Sequence, residues 1–470
     1  MVIAWLLVGV ISSGCGPSQT ELDSQVTEIS DVIIATQTEE SARPTAAPTS
    51  ITGQINSPTE VVGLASIEDL TKAINDDPNS AIAYLSRGVA HQAMGNLNRA
   101  ILDYDQAIAL DPQYTLAIFE RGNAYFEKGD LDMSLADYDR AIGLDPQFTA
   151  GFNNRGRTYA ALGDLESAIA DFGQAIALDI RFAEAYYNRG LAYFDAGDFD
   201  RAIADYDQAI ELETRLIASV YNNRGNAYFE KGNIDKAVSD FDQAIFLDDQ
   251  FALAFSNRGR AYGTQGDLDR AIVEFDQAIA LDPGLAAAYS NRGVAFEFKG
   301  DLDRATADFN RAIELDPFYA DAYYNRGNIY LNEGRYDLAI DDYSQAIALD
   351  SRLYEAYYNR GFAYSNLSDF DRAIPDYDRA IALNPQFAEA YFQGGLAYAI
   401  SGQNDQAVSY LSSFIEIDPD VGIAFYMRGA TYAEMGELEK ASSDLEIALE
   451  LGLEPTVKRA AEDLLEELGQ

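Results

Sequence analysis

Thiol and imidazole chemistry are almost missing from this 470-residue chain, which holds one cysteine, Cys15, and one histidine, His91. Disulfide frameworks, Cys/His zinc sites and nucleophiles activated by a neighbouring histidine are excluded by that inventory. Carboxylates are plentiful: 77 Asp and Glu stand against 33 Lys and Arg, for a formal charge of -44. No two of them form a distinctive pair of the kind acid–base catalysis needs. No catalytic residue, metal or cofactor is therefore expected, and the chain does not read as an enzyme. So acidic a surface repels phosphate backbones, which sets nucleic acid aside. It favours a neutral or basic protein or peptide, and it equally serves to keep a long chain soluble.

Other polar side chains recur in register. Asparagine returns about every 34 residues, at Asn154, Asn188, Asn223, Asn257, Asn291, Asn325 and Asn359. An amide donates and accepts, so a row of them can satisfy the N–H and C=O groups of an extended peptide without reading its sequence. The competing reading has each asparagine serve the hydrogen bonding of its own structural unit. Aromatic residues stand beside the row, among them Tyr187, Tyr324 and Tyr358, and offer amphipathic contact area. An arginine follows each of the asparagines, and sixteen residues further on comes an acid: Arg189 with Asp205, Arg224 with Asp240, Arg258 with Glu274. Where the arginine position becomes Gly394, the acid position becomes Tyr410. That joint loss points to a charge-assisted pair inside each repeat.

The elements that place these residues are visible in Ala185–Leu212, AYYNRGLAYFDAGDFDRAIADYDQAIEL. Its apolar spacing, Tyr186, Gly190 and Tyr193, then Ala202, Tyr206, Ala209 and Ile210, is that of two amphipathic helices. Gly197-Asp198 between them predicts a left-handed stop followed by a helix-opening cap. The unit is a helical hairpin too small to bury its own stripe, so its copies must stack. Eleven copies begin at Ala81, Thr115, Thr149, Ala183, Ala218, Ala252, Ala286, Ala320, Tyr354, Ala388 and Gly422. The Gly-Asp-Leu-Asp turns, as at 129–132, 266–269 and 300–303, lack the dense oxygen ligands of a calcium loop; they are read as helix openings.

Period and pattern resemble the tetratricopeptide repeat, with Tyr186, Gly190, Tyr193, Ala202, Tyr206 and Ala209 in one unit and Phe255, Gly259, Tyr262, Ala271, Phe275, Ala278 and Pro283 in another. The resemblance implies an all-α fold, an α-α superhelix (solenoid) of about eleven helical hairpins, capped by helices at 65–80 and 456–470 around an array at 81–455. It also implies that the first helix of each hairpin faces the ligand, through positions 2, 5, 6, 9, 12 and 13. Only Arg157 and Arg260 are basic there, so the Lys/Arg clamp that members of the family use on acid-tailed peptides is absent. The asparagine row resembles the ladder in the helical arm of N-acetylglucosamine-transferring enzymes, whose catalytic domain has no counterpart here.

Residues 2–11, VIAWLLVGVI, lead through Ser12-Ser13-Gly14 to Cys15. This resembles a bacterial lipoprotein signal (residues 1–15), which implies a lipid anchor on Cys15 and an extracytoplasmic, envelope location. An ordinary secretory signal, an uncleaved anchor or an apolar start without a targeting role are the alternatives. Residues 16–64, rich in Ser, Thr, Pro, Gln and Glu, read as a disordered tether. The function expected is a protein-interaction scaffold binding peptide or protein segments in the groove. The alternatives are a structural spacer, an accessory subunit of an envelope complex, or a carboxylate-based enzyme.

Overall fold

The computed structural model describes residues 66–212 and 217–469; the signal-like run with Cys15, the tether at 16–64 and the start of the N-terminal cap lie outside them. Regular structure among the described residues is α-helical throughout. They fall into two compact units, divided between Gln265 and Gly266.

The N-terminal unit opens with α1 (Ile67–Asp76). Five helix pairs follow: α2 (Ala81–Ala93) with α3 (Leu97–Leu110), α4 (Thr115–Lys128) with α5 (Leu131–Leu144), α6 (Thr149–Ala161) with α7 (Leu165–Leu178), α8 (Ala183–Asp195) with α9 (Phe199–Glu211), and α10 (Ile217–Glu230) with α11 (Ile234–Leu247); α12 (Ala252–Thr264) closes it. The C-terminal unit begins with α13 (Leu268–Leu281). It continues with α14 (Ala286–Phe298) and α15 (Leu302–Leu315), α16 (Ala320–Asn332) and α17 (Tyr336–Leu349), α18 (Tyr354–Asn366) and α19 (Phe370–Leu383), α20 (Ala388–Ile400) and α21 (Asn404–Ile417), and α22 (Gly422–Met435) and α23 (Leu438–Leu451), and ends with α24 (Pro455–Leu468). Within each unit the two helices of a hairpin pack together, and the second also packs on the first helix of the next hairpin.

The turn chemistry is the one the sequence implies. Gly197 takes φ 76°, a left-handed conformation that costs glycine little, and Asp198 accepts from Arg201 N to open α9. Ser368 occupies the equivalent turn at φ 60° and is the one non-glycine residue with positive φ among the described residues. Helix α19 runs through Pro375, which forfeits one backbone hydrogen bond there.

Close approach inside a hairpin depends on small residues facing a large one. Tyr206 is fully buried with Ala202 and Ala209, and a Cβ on Gly190 would lie 2.7 Å from the Tyr206 ring. Gly327 stands in the same relation to Tyr343 in the C-terminal unit, at 2.9 Å. Helix α24 covers the last hairpin by burying Val457 and Ala461 against Leu445 and Ala448. No helix of the described residues is long and apolar enough to cross a membrane.

Candidate functional site

Nine of the arginine–acid pairs expected from the sequence are present among the described residues. Arg189 donates from Nε and Nη2 to both carboxylate oxygens of Asp205, at 2.7 and 2.8 Å. The same two-bond fork joins Arg87 to Asp103, Arg121 to Asp137, Arg155 to Asp171 and Arg224 to Asp240 in the N-terminal unit. It recurs from Arg292 to Asp308, Arg326 to Asp342, Arg360 to Asp376 and Arg428 to Asp444 in the C-terminal unit. Planar guanidinium and carboxylate match in this geometry, and part burial strengthens the bond. Burial pushes the Asp240 and Asp342 carboxyls up, and their arginines offset part of that.

The sequence reading missed a further bond. The remaining arginine nitrogen reaches the preceding hairpin: Arg121 Nη1 donates to Asp105 at 2.6 Å, Arg292 to Asp276 at 2.5 Å and Arg360 to Ser344 Oγ at 3.0 Å. Arg87 reaches Thr71 on α1 at 3.2 Å. Each of these arginines except Arg189 therefore ties its hairpin internally and to its neighbour. Below Arg189 the acceptor position is Gly173, which offers no side chain. In the hairpin of α20 and α21, where Gly394 and Tyr410 replace the pair, the Tyr410 hydroxyl donates to Asp378 of the preceding hairpin at 2.6 Å, joined by Tyr398 at 3.2 Å. The signal was available: the acceptor recurs two residues after every paired acid but Asp171, which Gly173 follows.

The asparagine row has a different geometry from the open ladder expected. Asn188, Asn223, Asn257, Asn291 and Asn325 are buried, and Asn154 and Asn359 half-buried. Five of their Nδ2 groups donate to the preceding hairpin. Asn154 donates to Asn123 Oδ1 at 2.8 Å, Asn188 to Asn153 at 3.0 Å, Asn223 to the Tyr187 hydroxyl at 3.0 Å and Asn257 to Asn222 at 2.9 Å. Asn359 donates to Asn328 at 3.0 Å. First helices of successive hairpins lie in contact, close enough for a short amide to bridge them. These five amides thus serve bonding between hairpins, a use neither reading of the sequence contained; the Nδ2 groups of Asn291 and Asn325 find no acceptor. Tyr187, 1% exposed, belongs to this packing; Tyr324 is also buried, and only Tyr358 of the three tyrosines is partly exposed, edge-on to Phe387 at 5.0 Å.

Charges on the first helices differ along the chain. Arg157 stacks on Phe126 at 5.1 Å and Arg260 on Phe229 at 4.7 Å, an attraction of cation to ring face. Nearby, burial pushes Glu120 up to about 7 against the hydrogen bond that Asn123 donates to it at 3.0 Å. In the C-terminal unit burial pushes Glu297 up to about 7 and raises Glu355. His91 is buried with Nε2 4.0 Å from Asp103, a carboxylate already engaged by Arg87. No group of His, Cys, Asp and Glu among the described residues is placed to hold a metal ion.

Three family profiles, each described as a tetratricopeptide repeat or TPR repeat, match the chain. The first covers residues 81–114, 183–213, 320–353 and 354–387. The second covers 122–163, 156–197, 225–266, 259–297 and 299–334, and the third 376–409. Together they span well over half of the sequence. No curated protein matches it. Among solved structures the chain is similar to YrrB, described as a TPR protein with an unusual peptide-binding site, at 32% identity over 40% of this chain and 97% of that one, with a TM-score of 0.39. It is similar to a tetratricopeptide repeat protein from Parabacteroides merdae at 20% identity over 53% and 98% of the two chains, TM-score 0.45. It is also similar to yeast Tom70 at 17% identity over 83% and 95%, TM-score 0.38. With the profiles matching hairpin after hairpin, and Gly190, Ala202 and Tyr206 packed as the repeat requires, the chain belongs to the tetratricopeptide repeat family.

Proposed function

We propose that the chain is a protein-interaction scaffold whose first-helix faces hold an extended segment of another protein. One observation carries this. The positions repeated in nearly every hairpin, such as Arg189, Gly190, Ala202, Asp205 and Tyr206, are consumed in stacking. The first-helix positions that point away from the stack vary, as in Glu127, Asp195, Phe298 and Asn332, and are exposed. A scaffold of constant spacing with a changing face suits recognition of a chain laid along it. Of the residues expected to touch a peptide, Asn154, Asn359 and Tyr358 keep exposed surface and are the contacts proposed. Catalysis forms no part of this reading.

A photocrosslinking side chain at Asp195 or Phe298, compared with one at Leu102 or Val273 on exposed faces of second helices (67% and 64% exposed), tests the assignment. Partner adducts are expected from the first pair. Adducts from the second pair alone would reverse it, and none at any position would favour a spacer. We further propose that Cys15 carries a lipid anchor and that residues 16–64 tether the array at the cell envelope. Mass spectrometry of the mature protein is expected to find an acylated Cys15 at its start; an unmodified Cys15 would sink the anchor.

A further inference from the structure

The amides at position 6 of the first helices take their acceptors from one of two places on the preceding hairpin. Position 5 supplies it for Asn188, Asn223 and Asn257, through Asn153, the Tyr187 hydroxyl and Asn222. Position 9 supplies it for Asn154 and Asn359, through Asn123 and Asn328. Each of these acceptors ends a side chain at least as long as asparagine. Serine holds position 5 ahead of the two amides that find no acceptor: Ser256 precedes Asn291 and Ser290 precedes Asn325.

Ser290 and Asn325 both belong to the C-terminal unit, on α14 and α16, and these helices are in contact. Ser290 is 0% and Asn325 2% exposed. Ser290 Oγ and Asn325 Nδ2 each lack a hydrogen-bond partner within the chain. Position 9 offers no alternative, because it is Val294, which lies with Phe309 and Ile329 in an apolar cluster joining the same two hairpins. Two polar groups held away from bulk water, at the register where other hairpins close a bond, cost stability if both stay unpaired. Buried groups of this kind are paired in folded proteins, with protein or with ordered water.

The short serine explains why the two do not meet. Its hydroxyl is one bond from Cβ, whereas the Oδ1 of Asn153 or Asn222 is two bonds away and the Tyr187 hydroxyl lies further still. A side chain shorter by a carboxamide leaves room on the order of one water molecule, whose share of the liquid is about 30 Å³. Water donates as well as accepts, so one molecule satisfies the hydroxyl and the amide together. We propose that a single buried water bridges Ser290 Oγ and Asn325 Nδ2, joining α14 to α16 through solvent where α6 and α8, or α16 and α18, are joined by a direct bond.

A crystal structure of the full chain, at a resolution that shows ordered water, tests the bridge. Density for one water within about 3.2 Å of both atoms is expected. In the Ser290→Asn variant that water is expected to be displaced, with Asn325 donating to the new side chain as Asn188 does to Asn153, and the urea midpoint is expected to shift upward. A dry gap, a direct bond between Ser290 and Asn325, or a water that survives in Ser290→Asn overturns the proposal. Urea unfolding of Ser290→Ala, Asn325→Ala and the double variant gives a second reading in solution. Each single change is expected to lower stability, and the double change by less than the two losses added, because either one alone strands the water and the remaining partner. Additive losses overturn the bridge.

Discussion

The two units share a scaffold and differ in the face it presents. In residues 66–265 the bridging amides all find acceptors and two arginines lie on aromatic rings. In residues 266–469 that face holds carboxylates and aromatics with no arginine or lysine, and two of its buried amides donate to nothing. Yet the forks of Arg189 with Asp205 and Arg360 with Asp376 have nearly the same geometry. Stacking and recognition use different positions of the same helices, so one can vary while the other is held constant.

The largest effect should come from cutting the shared feature. Asp205→Ala and Asp376→Ala each leave a part-buried guanidinium without its carboxylate, at an expected cost of about 3–5 kcal/mol in urea unfolding. Asp205→Ala should cost more, because Arg360 keeps Ser344 Oγ whereas Gly173 gives Arg189 nothing. Equal losses would show that the bond to the preceding hairpin contributes little.

A smaller effect is expected where the C-terminal unit departs from its own pattern. Tyr410→Phe removes the hydroxyl that holds Asp378 and should cost about 1.5–3 kcal/mol, the usual range for a hydrogen bond to a charged group. Hydrogen exchange should show residues 388–469 opening at lower free energy while the N-terminal unit is unaffected, since a repeat feels chiefly its neighbours. An unchanged exchange pattern would mean that Tyr398 alone sustains the tie.

The smallest effect compares one raised carboxyl in each unit. Glu120 and Glu297 stand at about 7 in the folded chain against 4.5 as the reference. Between those values the folded state binds more protons than the unfolded one, so each group's contribution to stability falls as pH rises from about 4.5 to 7. Glu120→Gln and Glu297→Gln should both stabilise the protein at pH 8 relative to pH 5, by on the order of 1 kcal/mol. The gain should be smaller for Glu120, whose charge Asn123 already solvates.

Much of the fold was legible. Gly190, Ala202 and Tyr206 recur with a helical period, and joint replacement at Gly394 and Tyr410 exposed the arginine–acid pair. The fate of the asparagines was not legible. Whether an amide at Asn188 points to solvent or to Asn153 depends on how closely successive first helices approach, and that distance does not appear in a spacing of residues along one chain.

Repetition in the sequence by itself therefore determined the hairpin, its turn, its small-against-large packing and its internal ion pair, because each of these is local to about one period and is written out many times. The tertiary structure alone decided which polar side chains are used up between hairpins and which are left on the first-helix face. That choice turns on a few ångströms of separation, within which the amide of Asn359 finds Asn328 while that of Asn325 finds no acceptor, the corresponding position being Val294.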